Sequence, residues 1–251
     1  MKMKLISAFT ASALLGSHAQ AESDSTNDSD ISIGVSLINQ SSEYLQGKSE
    51  NATMPLIEAR WKTIFISGDR VGSFFAGGDH WVLALTTGLD HVGDKDRGDS
   101  EKLADMRKLD TVIVAGINAF VESSYGEFSL EVSRDISGGH EGHVAELSYS
   151  YSFTSGSWTA YPEIGVLWMS HEVSDYYYGV SEVDARVDRT QYRPGSAFIW
   201  SVGFGVSYDF YHHHSVTLSA TINRLSDRLL DSPIVEKADT EGLMLGYSYS
   251  F

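Results

Sequence analysis

Residues 243–251 read LMLGYSYSF. Leu243, Leu245, Tyr247, Tyr249 and Phe251 fall on one side of an extended segment, and Met244, Gly246, Ser248 and Ser250 on the other. Successive side chains of a β-strand point to opposite faces, so this is a strand with one apolar face and one small, polar face. The pattern returns upstream. Phe198, Trp200, Val202, Phe204, Val206, Tyr208 and Phe210 alternate with Ser201, Gly203, Gly205, Ser207 and Asp209. Val216, Leu218, Ala220 and Ile222 oppose Ser215, Thr217, Ser219, Thr221 and Asn223. Ala145, Leu147, Tyr149, Tyr151 and Phe153 oppose Glu146, Ser148, Ser150 and Ser152, while Trp158, Ala160, Pro162, Ile164, Val166 and Trp168 oppose Thr159, Tyr161, Glu163 and Gly165.

Such alternation also suits half-buried strands of a soluble sandwich or a lipocalin-like barrel. Two features point to a membrane instead. The strands run about 10 to 14 residues, longer than the usual 5 or 6 of soluble sheets and close to what crosses a bilayer at a tilt. Aromatics gather at strand ends (Phe153 and Trp158 beside one turn, Phe210 and Tyr211 at another, Phe251 at the last), as interfacial girdles do. The second face, rich in Gly, Ser, Thr and Glu, suits a wet lumen. The expected fold is all-β: a transmembrane antiparallel up-and-down β-barrel.

A barrel with both termini in the periplasm has an even number of strands. Strands are expected near 240–251, 214–225, 196–210, 157–170, 142–154, 126–136, 110–124 and 80–90, and another at 31–38 before a polar loop, 39–54. Parity then requires an odd number of crossings in 55–79. Three short ones fit, at 55–62, 63–67 and 69–77, with reversals near Lys62 and at Ser67-Gly68-Asp69. The total is about 12, with about 10 as the alternative. The short turns belong to the periplasm; the long, charged segments 91–109, 171–195 and 226–239 are the expected outer loops.

Ahead of the barrel, Lys2 and Lys4 precede an apolar run, 5–16, that is shorter than the roughly 20 residues of a spanning helix. Ala19 and Ala21 supply a small-x-small cleavage pattern, so residues 1–21 are expected to be a cleaved signal peptide and 22–30 (ESDSTNDSD) a flexible lead-in to a barrel over 31–251. Removing the signal takes away two lysines and no acids, which moves the formal charge from −16 to −18. So acidic a surface repels nucleic acid. There are no cysteines, hence neither a disulfide nor a lipid-anchoring cysteine.

Candidate chemistry is sparse. His140, Glu141 and His143 lack the helix that would place His-x-x-His around a metal, and His212-His213-His214 lies in an expected turn, so no metal site or cofactor is expected. A barrel hydrolase would have to use His80, His91 or His171 with a serine, and no motif fixes such a pair; no catalytic residue is assigned. The candidate lumen charges are Glu58, Arg60, Lys62, Glu131, Glu146 and Glu163, either setting selectivity or filling the bore with a structural ion-pair network.

Three further motifs carry a resemblance. The first is Asp135-Ile136-Ser137-Gly138-Gly139-His140-Glu141-Gly142-His143-Val144. The second is Tyr177-Tyr178-Gly179-Val180-Ser181 with downstream Tyr192-Arg193-Pro194-Gly195. The third is Arg224-Leu225-Ser226-Asp227 followed by Asp231-Ser232-Pro233-Ile234-Val235. In this order they resemble the MipA/OmpV family of outer-membrane proteins. The resemblance implies a non-enzymatic scaffold that holds a lytic transglycosylase and a bifunctional penicillin-binding protein together in murein growth, or, for OmpV-like members, a small pore or surface adhesin. Gly246, Tyr249 and Phe251 resemble the terminal signal read by the barrel-assembly machinery. The implied partners are that machinery, outer-membrane lipid and the two murein enzymes.

Overall fold

The computed structural model describes residues 29–251, so the expected signal peptide and most of the lead-in lie outside the described residues. Alternating side chains become alternating environments. The strand segments are, in chain order, β1 (Ser29–Gln40), β2 (Glu50–Trp61), β3 (Ile64–Ser67), β4 (Arg70–Gly78), β5 (Trp81–Leu89), β6 (Ile113–Ser123), β7 (Gly126–Asp135), β8 (His143–Ser150), β9 (Phe153–Ser155), β10 (Trp158–Met169), β11 (Ala197–Phe210), β12 (His214–Leu225) and β13 (Asp239–Ser250). Two short helices, α1 (His171–Tyr178) and α2 (Asp227–Leu230), lie in loops.

Every pairing is antiparallel, and β13 returns to β1 from Ser32↔Ser250 to Gln40↔Gly242, which closes the sheet. β8 and β9 both pair with β10 and are two pieces of one crossing, interrupted at Tyr151 and Ser152. The cylinder therefore has twelve crossings. Closure pairs backbone groups between strands over most of the wall, as hydrocarbon demands.

The outward faces explain the chain's composition. Val202 is 61% exposed, Ile164 56% and Ile222 53%, within an apolar band far too extensive for water. Trp61, Trp81, Phe128, Trp158 and Tyr208 sit toward the short-turn end of that band, Trp168, Phe198 and Trp200 toward the other. Inside, ring and glycine are matched: a Cβ on Gly205 would lie 2.2 Å from the Tyr161 ring, and one on Gly72 2.3 Å from Phe65. Large against small fills the taper of a narrow barrel.

The short turns share one rim: Lys62-Thr63, Asp79-His80, Ser124-Tyr125, Gly156-Ser157 and 211–213. The connections 41–49, 90–112, 136–142, 170–196 and 226–238 share the other. Some boundaries move. β1 starts two residues early, at Ser29; β2 starts at Glu50, so the polar loop shrinks to 41–49; β6 starts at Ile113, not 110. At β2 the polar residues Glu50 and Asn51 hid the strand top, where the wall leaves the hydrocarbon and apolar alternation is no longer needed. Residues 55–79 complete β2 and form β3 and β4, and β3 is only four residues long.

Candidate functional site: an acidic lumen under a sealed cap

The five long connections fold over the outer rim and pack as a small soluble core. Tyr44, Leu103, Met106, Val173, Tyr177, Tyr178, Leu229 and Ile234 are buried there against strand ends contributed by Leu167, Met169, Ala197, Ile199 and Leu225. Tyr44 and Tyr178 stack with ring centres 5.7 Å apart. The Tyr178 hydroxyl donates to Glu43 Oε1 at 3.1 Å, and burial pushes the Glu43 carboxyl up to about 7. Burial and Glu43 together push the Tyr178 phenol well above its ordinary value. Arg189 fastens 170–196 to 90–112: its guanidinium donates to both oxygens of Asp105, at 3.2 and 2.6 Å, and that bond holds the Asp105 carboxyl below its usual range.

The motif residues contribute to this cap or lie at its edge. The Asp135 carboxylate accepts from the backbone of Ser137, Gly138, His140 and Glu141 and from the Ser137 hydroxyl, which winds 136–142 around one side chain. Gly138 has φ +79, and a Cβ on Gly139 or Gly142 would lie 2.6 Å from Val112 or Val173. Gly142 N–H donates to His140 Nδ1 at 2.9 Å, so the ring proton sits on Nε2 and is donated to Asp90 Oδ2 at 3.1 Å. Tyr177 donates to the same Asp90 oxygen at 2.8 Å.

Gly179 rests on the Asp175 carbonyl, Val180 pairs with Tyr192, and Ser181 Oγ donates to Asp184. From the last motif, Asp231 N–H ends α2 on Asp227, Ser232 Oγ donates to the Tyr178 carbonyl at 2.6 Å, Pro233 is half-buried, Ile234 is fully buried, and Val235 pairs with Tyr44. These groups spend their hydrogen bonds on one another.

Beneath the cap the lumen is acidic. Glu131 and Glu146 are directly opposed on β7 and β8, and the Arg70 guanidinium donates to both Glu131 oxygens. Glu58 accepts from Ser67 Oγ at 2.9 Å. Glu163 and Glu127 both stand opposite Ser150, from either side. One expected lumen charge lies elsewhere. Lys62 is in the β2–β3 turn at φ +54, exposed, with its ammonium 5.3 Å from the Trp61 ring centre. Arg60 keeps the inward phase of Glu58 and sits at the exposed periplasmic mouth of the bore, over the Phe74 ring. Alternation stops meaning "inside" once the chain reaches a turn. Arg70 and Glu127 were missed, although Glu127 shares the phase of Glu131; Arg70 directly follows the reversal at Ser67-Gly68-Asp69, where no preceding alternation on its own strand sets its face.

The histidines are individually held. His91 Nε2 lies 2.8 Å from Asp69 Oδ2, His171 is exposed beside Glu172, and His80 is in a turn. Neither His91 nor His140 has a serine among its hydrogen-bond partners. His213 and His214 bond the Ser250 carbonyl and the Tyr247 hydroxyl, next to the closing seam. At that seam Phe251 N–H donates to the Ile31 carbonyl at 2.9 Å, Gly246 receives the Leu56 side chain, and Tyr249 packs against Phe251. A small pocket separates cap from lumen, lined among others by Gln40, Glu43, His91, Tyr178 and Asn223.

A family model described as MltA-interacting protein MipA matches residues 33–251, from the first strand to the last residue. The chain belongs to the MipA family. The MltA-interacting protein of Escherichia coli K12 is 34% identical over 161 residues, 62% of this chain and 63% of its own length. Outer membrane protein YiaT of the same organism is 26% identical over 230 residues, covering 90% and 93% of the two chains. Outer membrane protein OmpV of Vibrio cholerae is 27% identical over 66% of this chain and 65% of its own. This MipA-family chain is thus an outer-membrane barrel, with the quoted motifs forming its cap.

Proposed function

We propose that this barrel is a non-enzymatic scaffold of the cell envelope that holds a lytic transglycosylase together with a murein synthase during growth of the sacculus. The observation that carries this reading is the family match over the whole barrel, with a 34%-identical relative named for its interaction with MltA. The geometry agrees with it. The motif residues are consumed in a structural cap, and the polar groups of the outer rim are tied to one another instead of converging on a substrate. Murein lies on the periplasmic side, where the short turns leave Tyr125 79% and Tyr211 83% exposed. Exposed aromatics of this kind anchor protein interfaces.

Immobilised barrel is expected to retain a purified lytic transglycosylase and a bifunctional penicillin-binding protein, and Tyr125→Ser with Tyr211→Ser is expected to weaken retention at least tenfold. Failure of both enzymes to bind wild-type protein would sink the scaffold. A second reading, a surface adhesin or antigen, is favoured by Val183 and Val187, which project from the outer loop at 86% and 104% exposure. It predicts cleavage of 170–196 by protease on intact cells.

A further inference from the structure

The barrel wall is incomplete at one place. β3 pairs with β2 only over Glu58–Trp61, and β4 pairs with β5 from Val71↔Thr87 downward. Above the turn at Gly68, among the described residues, no strand pairs with residues 50–57 of β2 on the side away from β1. Gly68 N–H donates to the Ile57 carbonyl across this edge, so by alternation the backbone groups of Asn51, Thr53 and Pro55 face the gap. The gap starts roughly 10 Å above Trp61 and rises through the outer half of the hydrocarbon. Loops 41–49 and 90–112 bridge its top, through Lys48 N–H to the Gly98 carbonyl and Ser100 Oγ to the Leu45 carbonyl.

A bare strand edge is not tolerated in lipid unless a partner strand covers it or it borders a water-filled cavity. Pro55 has no N–H to offer a partner strand, which argues against such a cover and for an edge that opens on the protein's own interior. The lumen surface behind the edge is also unusual. Here Ile38, Met54, Leu56 and Met244 replace the serine, glycine and threonine found elsewhere. The pocket beneath the cap adjoins the gap through two neighbours of its edges. Gln40, paired with Glu50 at the top of β2, and His91, held by Asp69 at the floor, both line it.

We propose that this gap is a lateral portal through which a single-chain amphiphile enters from the outer leaflet, its chain along Met54 and Leu56 and its head in the pocket. The head is one that donates hydrogen bonds and carries no negative charge. The pocket offers acceptors: His91 Nδ1 and Asn223 Oδ1 are buried without a hydrogen-bond partner, and Glu43 and Asp69 stand nearby. An acidic surround repels anionic heads.

The absence of cysteine permits a clean test. Nitroxide labels at Leu56→Cys and, inside the intact wall, at Thr221→Cys are compared in phosphatidylethanolamine vesicles, both variants first showing the heat-modifiable migration of a folded barrel. The Leu56 label is expected to collide with oxygen in preference to a water-soluble nickel complex by at least threefold relative to the Thr221 label. Adding monoolein is expected to immobilise it, adding oleate is not, and His91→Ala is expected to abolish the monoolein response. Equal, aqueous accessibility at both sites would overturn the portal. Lipid-like accessibility without a monoolein response would overturn the ligand.

Discussion

At the scale of single residues, two acids hold the cap in opposite ways. Asp135 is a carboxylate surrounded by donors, and four of them are backbone N–H groups that have no other acceptor in the tight loop 136–142. Asp135→Ala removes the acceptor of all four, and the buried His140 N–H alone is left unpaired at a cost of about 1–3 kcal/mol. Loop 136–142 should open and become a protease site in detergent-solubilised protein, while the barrel band on gels remains. Glu43 is the reverse case, a buried carboxyl whose proton the fold favours, with its pKa raised from 4.5 to about 7. A raised acid stabilises the folded state fully below pH 4.5, and that contribution is lost as pH rises through 7. Cap cleavage by a protease active over this range should therefore accelerate several-fold between pH 5 and pH 8, and Glu43→Gln should flatten the dependence. An unchanged slope in Glu43→Gln would assign the pH response to another group.

Among elements, the strands were legible and the cap was not, for one physical reason. A strand's two faces meet lipid and lumen at every second residue, so the wall is written locally: Phe198 to Phe210 on one side, Ser201 to Asp209 on the other. Parity then required an odd number of crossings in 55–79, and the length of that stretch favoured three. The cap depends on partners far apart in sequence: Glu43 with Tyr178, Tyr44 with the Tyr177 carbonyl, Ser232 with the Tyr178 carbonyl. Its motifs could be quoted, but nothing in their spacing says that they meet. Glycines within strands carry a related message. Gly205 is the seat of the Tyr161 ring, so Gly205→Val should prevent β10 and β11 from docking and strongly reduce the heat-modifiable folded species. Gly203, which has no such close neighbour, should tolerate alanine in the same assay.

For the whole molecule, the picture is a twelve-crossing cylinder, acidic within, covered by its cap on the outside and complete except beside residues 50–57. Glu58, Glu127, Glu131, Glu146 and Glu163 line the bore, where the Arg70 guanidinium holds Glu131, and the cap core lies between them and the external medium. Planar-bilayer recordings should find little conductance for the intact barrel. Tyr178→Ala, which removes a fully buried ring at a cost of about 3–5 kcal/mol to the cap, should reveal cation-selective openings. The measurement that tests the capped barrel most directly is labelling of single cysteines on intact cells with a membrane-impermeant maleimide. Val187→Cys at the outer tip should react, whereas Ser124→Cys in a short turn and Thr221→Cys in the lumen should not, with Thr221→Cys becoming reactive once Tyr178→Ala loosens the cap. Labelling at Ser124, or at Thr221 beneath an intact cap, would contradict the account.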